Sequence, residues 1–317
     1  MKKITAAIFV CVFAAAVAIA APAAKKNAQK KAEAVKNLEV IVVEDAVYPQ
    51  GKESVGFTQF LGQFTELTPV VTKMTEAQAR ADAKIGQFDL SALPLYLIKN
   101  TPAARAKFDD PIKQGFLTAT DDYIVLPRQT PEYVISNRAA QPNVLELFVM
   151  SQCPYGVMAE AKLIEAQKAG KLPKDKEVKI RYIVNYDANN NTFSSLHGQA
   201  EWEEDARQLV IAKHFPEKFW KYLEVRNDMY QCTKENCLKF IMQESGLNYK
   251  KVEKLREAEG KELLKEEAKN AEGISASPTF IWQGKVKTDM GNIGNIPGFE
   301  FFNTNQDGAA AAPAGSC

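Results

Sequence analysis

The chain has 317 residues, with 40 lysines and arginines against 39 aspartates and glutamates. That length allows two ordinary domains with their own cores, and the near-neutral balance gives no electrostatic ground for a nucleic-acid or charged-membrane partner. Two histidines, His197 and His214, with no clustered Cys/His set, exclude the common metal-ligand patterns, so neither a metal nor a cofactor is expected.

Lys2 and Lys3 precede an apolar run from Ile4 to Ala21, followed by small-residue cleavage options at Ala18-Ile19-Ala20 and Ala21-Pro22-Ala23. Residues 1–23 therefore read as an export signal. The run is also about as long as a membrane span, so an uncleaved anchor is the alternative. Cleavage leaves 38 basic against 39 acidic residues and four cysteines, Cys153, Cys232, Cys237 and Cys317. A periplasmic or otherwise exported location would permit disulfides among them. Residues 24–37 form a basic, alanine-rich linker.

Leu38 to Val43, LEVIVV, reads as a buried strand, and a first domain is expected over residues 38–140. An amphipathic helix around Thr75 to Ile85, a strand after Pro94 and a closing strand at Asp122 to Leu126 complete it. Pro127, Pro131 and Pro142 mark a connection to a second domain over residues 141–303. That domain opens on Val144 to Gly156, VLELFVMSQCPYG. The strand Leu145 to Met150 leads into Cys153-Pro154-Tyr155-Gly156 and a helix that Gly170 ends, with Val157, Ala161 and Ile164 on one face. Cys153 is thus placed at a helix N-terminus, where unpaired N–H groups and the helix dipole stabilise a thiolate.

The chain repeats itself. Leu38 to Val43 matches Leu145 to Met150, and Ser91-Ala92-Leu93-Pro94 matches Ser275-Ala276-Ser277-Pro278, each before an apolar strand. The two segments are 53 positions apart in the first copy and 130 in the second, so the second carries about 77 extra residues, an insertion at about 190–272. The first copy has Glu44-Asp45-Ala46-Val47-Tyr48-Pro49 where the second has its cysteine, and hence no thiol for exchange.

A strand followed by Cys-Pro-Tyr-x at a helix start, together with Ser277-Pro278 before a strand, resembles the thioredoxin superfamily, and the combination is most similar to its DsbA-type members. The resemblance implies an α/β fold of two tandem thioredoxin-like domains, the second with an inserted helical subdomain. It implies a cis-proline, Pro278, facing a nucleophilic Cys153, with Ser277 touching the substrate backbone. It further implies Pro154, Tyr155 and Gly156 as site residues. Gly156 stands where the family has its second cysteine.

The insertion opens on Ser195-Leu196-His197-Gly198-Gln199-Ala200-Glu201-Trp202, which is similar to a His-Gly-x-x-Glu signature of interferon-inducible lysosomal thiol reductases. His197 is accordingly an auxiliary candidate beside Cys153, the alternative being a helix-start histidine bonded to backbone. Glu201, Glu203, Glu204 and Asp205 read as a solvated first turn. Helices follow at Ala206 to His214, Glu217 to Asp228, Lys234 to Ser245 and Tyr249 to Asn270. Apolar positions such as Leu209, Val210, Phe219, Trp220 and Leu223 are expected to pack together. With Thr233 as the cap, Cys232 and Cys237 occupy the two positions a hydrophobic staple brings together, which predicts a structural disulfide; a reactive pair is the alternative.

Asp307 to Cys317, DGAAAAPAGSC, lies in a low-complexity tail over 304–317, expected to be disordered. The stretch from Asn303 to Cys317 spans roughly 50 Å when extended. Cys317 is thus a candidate resolving thiol for Cys153, the alternatives being no role or pairing between chains.

The chemistry expected of this set is thiol–disulfide exchange through the single nucleophile Cys153, as isomerase or reductase. Net oxidation is disfavoured, because Cys153 has no neighbour with which to store a disulfide. The partners implied are cysteine-containing exported proteins or small thiols, with homodimerisation through the first domain as a further option. The competing reading is a thioredoxin-fold binding or chaperone-like module with little redox chemistry.

Overall fold

The computed structural model describes residues 37–48, 51–126, 132–303 and 317, with the side chains of residues 51–55 excepted. The export signal, most of the linker, Pro49, Pro127, Pro131 and residues 304–316 lie outside the described residues.

The first repeat begins with β1 (Asn37–Glu44), α1 (Gly51–Thr65), β2 (Thr68–Thr75) and α2 (Glu76–Ala81). It continues with β3 (Ala92–Leu93), β4 (Leu95–Lys99), α3 (Pro102–Lys113), β5 (Thr118–Ala119) and β6 (Tyr123–Leu126). Its sheet runs β2-β1-β4-β6-β5, with β2 parallel to β1 and β4 antiparallel to it. The apolar run of β1 is buried on both faces, as suits a central strand. Leu38, Val40 and Val42 pack on Leu61, Tyr96 and Phe108, while Ile41 and Val43 pack on Ala79, Ile85 and Leu97. The two sets alternate along the strand because successive side chains point to opposite faces.

The second repeat comprises β7 (Tyr133–Ile135), β8 (Val144–Val149), α4 (Pro154–Lys168), β9 (Glu177–Tyr182), β10 (Asn185–Asp187) and β11 (Thr192–Ser194). After them come α5 (Gln199–His214), α6 (Pro216–Asn227), α7 (Glu235–Glu244), α8 (Tyr249–Asn270), β12 (Thr279–Trp282) and β13 (Val286–Thr288). Short 3-10 turns follow at Ile293–Asn295 and Glu300–Asn303. The sheet runs β3-β7-β13-β12-β8-β9, with β9 parallel to β8 and β12 antiparallel to it. Stripped of its edges, its order β9-β8-β12-β13 reproduces β2-β1-β4-β6 of the first sheet. The fold is therefore α/β with a thioredoxin-like sheet in each repeat. The peptide bonds Leu93-Pro94 and Ser277-Pro278 are both cis.

Several expectations need correction. The connection between the repeats is not merely a linker: β7 forms within it and pairs with β13 on one side and β3 on the other. A strand placed before residue 141 thus belongs to the second sheet. Helix α4 buries Gly156, Ala159, Glu160, Leu163 and Ile164, whereas Val157 and Ala161 are only half-buried. Strand β9 ends at Tyr182, and the chain after it turns into the β10–β11 hairpin. Lys234, not Thr233, is the N-cap of α7, yet Cys232 and Cys237 are joined as a disulfide. Leu209, Val210, Phe219, Trp220 and Leu223 all lie in apolar clusters. Most of the acidic run is not solvated: Glu201 and Asp205 are 0% exposed and Glu204 4%, and Glu203 alone is half-buried.

Buried ion pairs tie the repeats together. Glu146 on β8, fully buried, receives Arg138 Nη2 at 2.6 Å and Arg181 Nε at 3.0 Å. Arg138 also donates to the carbonyls of Gly284 and Asn270, so it clamps the incoming chain onto the second sheet. At the end of β1, where the second repeat has its cysteine loop, Asp45 accepts the N–H groups of Val47 and Tyr48 and a 2.6 Å bond from Lys285 Nζ, the residue before β13. Burial opposes the charge on Asp45, but these donors outweigh it and hold the carboxyl below its ordinary value. The Lys285→Met variant is expected to lose about 3 kcal/mol of unfolding free energy, because Asp45 would then be buried without its counter-charge. Urea unfolding checks this, and adding Asp45→Asn is expected to recover part of the loss.

Candidate active site

The central strand β8 delivers the chain through the tight turn Ser151-Gln152 to Cys153, the N-cap of α4. Cys153 N–H donates to Met150 O at 2.9 Å, and Val157 N–H donates to Cys153 O at 3.0 Å. Pro154 fills the first turn, where it has no donor to lose. The N–H groups of Tyr155 and Gly156 belong to that first turn and have no intrahelical acceptor. The turn is held from the insertion: Gln152 N–H donates to Glu201 Oε1 at 2.9 Å, and Ser151 Oγ donates to Glu201 O at 3.3 Å.

The proline loop closes on the same point. Ser277 Oγ accepts the Met150 N–H at 2.9 Å, and Ser277 O lies 3.5 Å from Cys153 Sγ. Both residues are 0% exposed. Gly156 is the third member of this contact. A Cβ there would lie 2.6 Å from Ser277 Oγ and 3.3 Å from Met150 O. The position that would carry a second loop cysteine is therefore filled by the Ser277 hydroxyl.

The partner of Cys153 comes from the far end of the sequence. Cys153 and Cys317 form a disulfide with S–S 2.05 Å and Cα–Cα 6.0 Å, across a sequence separation of 164. Cys317 is also held by its main chain: its N–H donates to Ser277 O at 3.0 Å, and Ser277 N–H donates to Cys317 O at 3.5 Å. This corrects the expectation that Cys153 cannot store a disulfide. The first repeat uses the equivalent edge in the same manner, since Leu93, just before cis-Pro94, pairs antiparallel with Val134 of β7.

His197 is not placed on Cys153. Its Nδ1 lies 2.8 Å from Glu201 Oε1, and its backbone N–H donates to Glu201 Oε2 at 3.1 Å. The histidine therefore supports the carboxylate that caps the cysteine turn. The role of Glu201, read from the sequence as part of a solvated turn, was missed, as was the buried polar layer behind it. The spacing Glu201, Glu204/Asp205, Gln208 is one helical face, which was the available signal. In that layer Glu204 is bonded to Arg207, Tyr222 and Gln208, and Tyr182 donates to Gln208 at 2.8 Å. Burial pushes Asp205 well above the ordinary carboxylate value. Burial likewise raises Glu160 on α4 to about 7, against the pull of Arg226 and of Asn227, which donates to it at 2.8 Å. Among the described residues no group of three or more His, Cys, Asp or Glu side chains is placed to hold a metal ion.

Two outcomes are expected. Gly156→Ala should lose about 1–3 kcal/mol through overpacking, and in combination with Ser277→Gly the two effects should be less than additive in thermal unfolding. Glu160 is favoured neutral in the fold, so its stabilising effect is complete below about 4.5 and lost as pH rises through about 7. Over that window wild type should lose about 3 kcal/mol relative to Glu160→Gln, a difference that urea midpoints at pH 4.5 and 8 would reveal.

No protein-family model matches the chain, and no curated protein matches it. Solved structures do. A DsbA variant from Pseudomonas aeruginosa aligns at 14% identity and TM-score 0.40, covering 56% of this chain and 94% of that one. DsbA from Proteus mirabilis aligns at 11% identity and TM-score 0.39, with 56% and 91% covered. DsbA from Klebsiella pneumoniae aligns at 16% identity and TM-score 0.37, with 56% and 92% covered.

Proposed function

We propose that this chain is an exported thiol–disulfide oxidoreductase whose redox pair is the loop cysteine Cys153 and the tail cysteine Cys317. The observation that carries the reading is their disulfide, formed at the N-terminus of α4 and seated on the edge of the cis-proline loop. Export is supported by the signal-like segment over residues 1–23. A second disulfide in the insertion, Cys232–Cys237, agrees with an oxidising compartment.

The chemistry needs no cofactor. When the pair is reduced, Cys153 faces the positive end of a helix dipole, which favours its thiolate. That thiolate attacks a substrate disulfide and forms a mixed disulfide, releasing one substrate thiolate. Attack by Cys317 on Cys153 Sγ then frees the second substrate thiol and leaves the Cys153–Cys317 disulfide, which is net reduction of the substrate. Attack by a substrate thiol instead gives isomerisation. Starting from the oxidised protein, the Cys153–Cys317 disulfide can also accept two electrons from a substrate dithiol. Cysteine-containing exported proteins and small thiols are the substrates this chemistry accepts. The first repeat serves as scaffold: its counterpart of the cysteine loop carries Asp45, already committed to Lys285.

Iodoacetamide alkylation with peptide mapping tests the reading. In untreated wild type Cys153 should be protected, and after reduction it should react with a midpoint well below the free-cysteine value of about 8.5. In Cys317→Ser it should react without reductant and hold substrates as long-lived mixed disulfides. A reduced Cys153 that alkylates only near that free-cysteine value would overturn the proposal in favour of a binding module.

A further inference from the structure

We propose that an incoming thiolate opens the oxidised site by attacking Cys317, so that the first mixed disulfide is carried by the tail cysteine and not by Cys153; the inference rests on the redox pair proposed above. A disulfide presents two sulfurs, and three features of this site distinguish them.

Access is the first. Cys153 is 0% exposed, enclosed by Phe148, Met150, Ile183, Ala271, Ile274 and Ile281, whereas Cys317 is partly exposed at the margin of the same cluster. Displacement at sulfur requires the nucleophile to reach the sulfur it attacks, and the enclosed sulfur is denied to a solvent thiolate.

The leaving group is the second. Attack at Cys317 expels Cys153 as a thiolate at the N-cap of α4, next to the first-turn N–H groups. Attack at Cys153 would expel Cys317, whose main chain is bonded to Ser277 of a loop and not to a helix terminus. The sulfur that departs as the more stable thiolate leaves faster.

Positioning is the third. The paired bonds between Cys317 and Ser277 hold the attacked residue extended along the loop edge. The same edge in the first repeat is filled permanently by β7, through Leu93 and Val134. The edge is thus a strand acceptor, and in the second repeat its occupant is joined to the site by a bond that thiols can break.

The exchange balances as follows. A substrate thiol loses its proton to solvent, and its thiolate forms a bond to Cys317 Sγ as the Cys153–Cys317 bond breaks and its electron pair leaves on Cys153. A second thiolate of the substrate then attacks the substrate sulfur of the mixed disulfide. This forms the substrate disulfide and releases Cys317 as a thiolate, which takes up a proton. The substrate has lost two electrons and the protein disulfide has gained them. The substrate class is a dithiol whose second thiol reaches the first while that thiol is held on the tail.

The test uses the full oxidised protein and reduced glutathione as the probe thiol. Samples are quenched in acid at increasing times, free thiols are blocked, and the glutathione adduct is located by peptide mass. At the earliest times the adduct on Cys317 should exceed that on Cys153 by at least about tenfold, with Cys153 recovered as a free thiol. Adduct mainly on Cys153, or equal adduct on both, overturns the inference while leaving the redox pair intact. If mapping of the starting protein shows Cys153 and Cys317 not joined, the proposed redox pair itself fails, and the inference with it.

Discussion

The site is built around one hydroxyl group. Ser277 Oγ accepts the Met150 N–H at the end of β8 and stands where a side chain on Gly156 would have to go. A buried N–H left without an acceptor costs about 1–3 kcal/mol, so the hydroxyl is not readily displaced. The constraint orders what surrounds it. Helix α4 approaches the proline loop with a glycine in its first turn, the loop cysteine has no thiol neighbour on its own helix, and the partner thiol arrives from outside the loop. Position 156 and Cys317 are thus two ends of one arrangement. The thiol absent from the first turn of α4 is supplied by Cys317, held on the edge that Ser277 presents.

That edge gives the tandem repeat a meaning beyond ancestry. A strand end just before a cis-proline carries a free N–H and C=O, and such groups seek a partner. In the first repeat β7 satisfies them, and in doing so it links the two sheets through β3, β7 and β13. In the second repeat Cys317 satisfies them. One copy of the edge is closed by a strand, and the other by a residue held in a disulfide. The absence of a thiol from the matching loop of the first repeat fits this division, since Asp45 at that position serves the joint with Lys285.

Behind the cysteine turn lies a layer of buried ionisable groups: Glu160, Glu201, Glu204, Asp205, Arg207 and Arg226. Glu204 is balanced by Arg207 and Arg226. Glu201 turns toward the cysteine loop and fixes Gln152 through Oε1, which the His197 ring also contacts, while the His197 N–H donates to Oε2. Groups of this kind hold geometry when fully bonded, because a buried carboxylate that loses a donor is heavily penalised. The insertion therefore does more than enlarge the second domain: its first helix anchors the loop that carries Cys153.

Much of this was legible in the linear chain. The period-2 strands, the helix-start cysteine, the two Ser-Ala-x-Pro segments and the size of the insertion are local patterns, and local patterns specify elements. Three things were not legible. A short strand such as β7 exists only because an edge awaits it. The acidic run of α5 reads as surface until arginines from α5 and α6 are packed beside it, since charge in a sequence carries no sign of burial. The pairing of Cys153 with Cys317 depends on where a distant segment returns, which tertiary contacts alone decide. The sequence by itself determined that Cys153 stands at a helix start and what environment that helix provides. The tertiary structure decided which partner it meets, because proximity across 164 residues is a property of the folded chain and not of spacing.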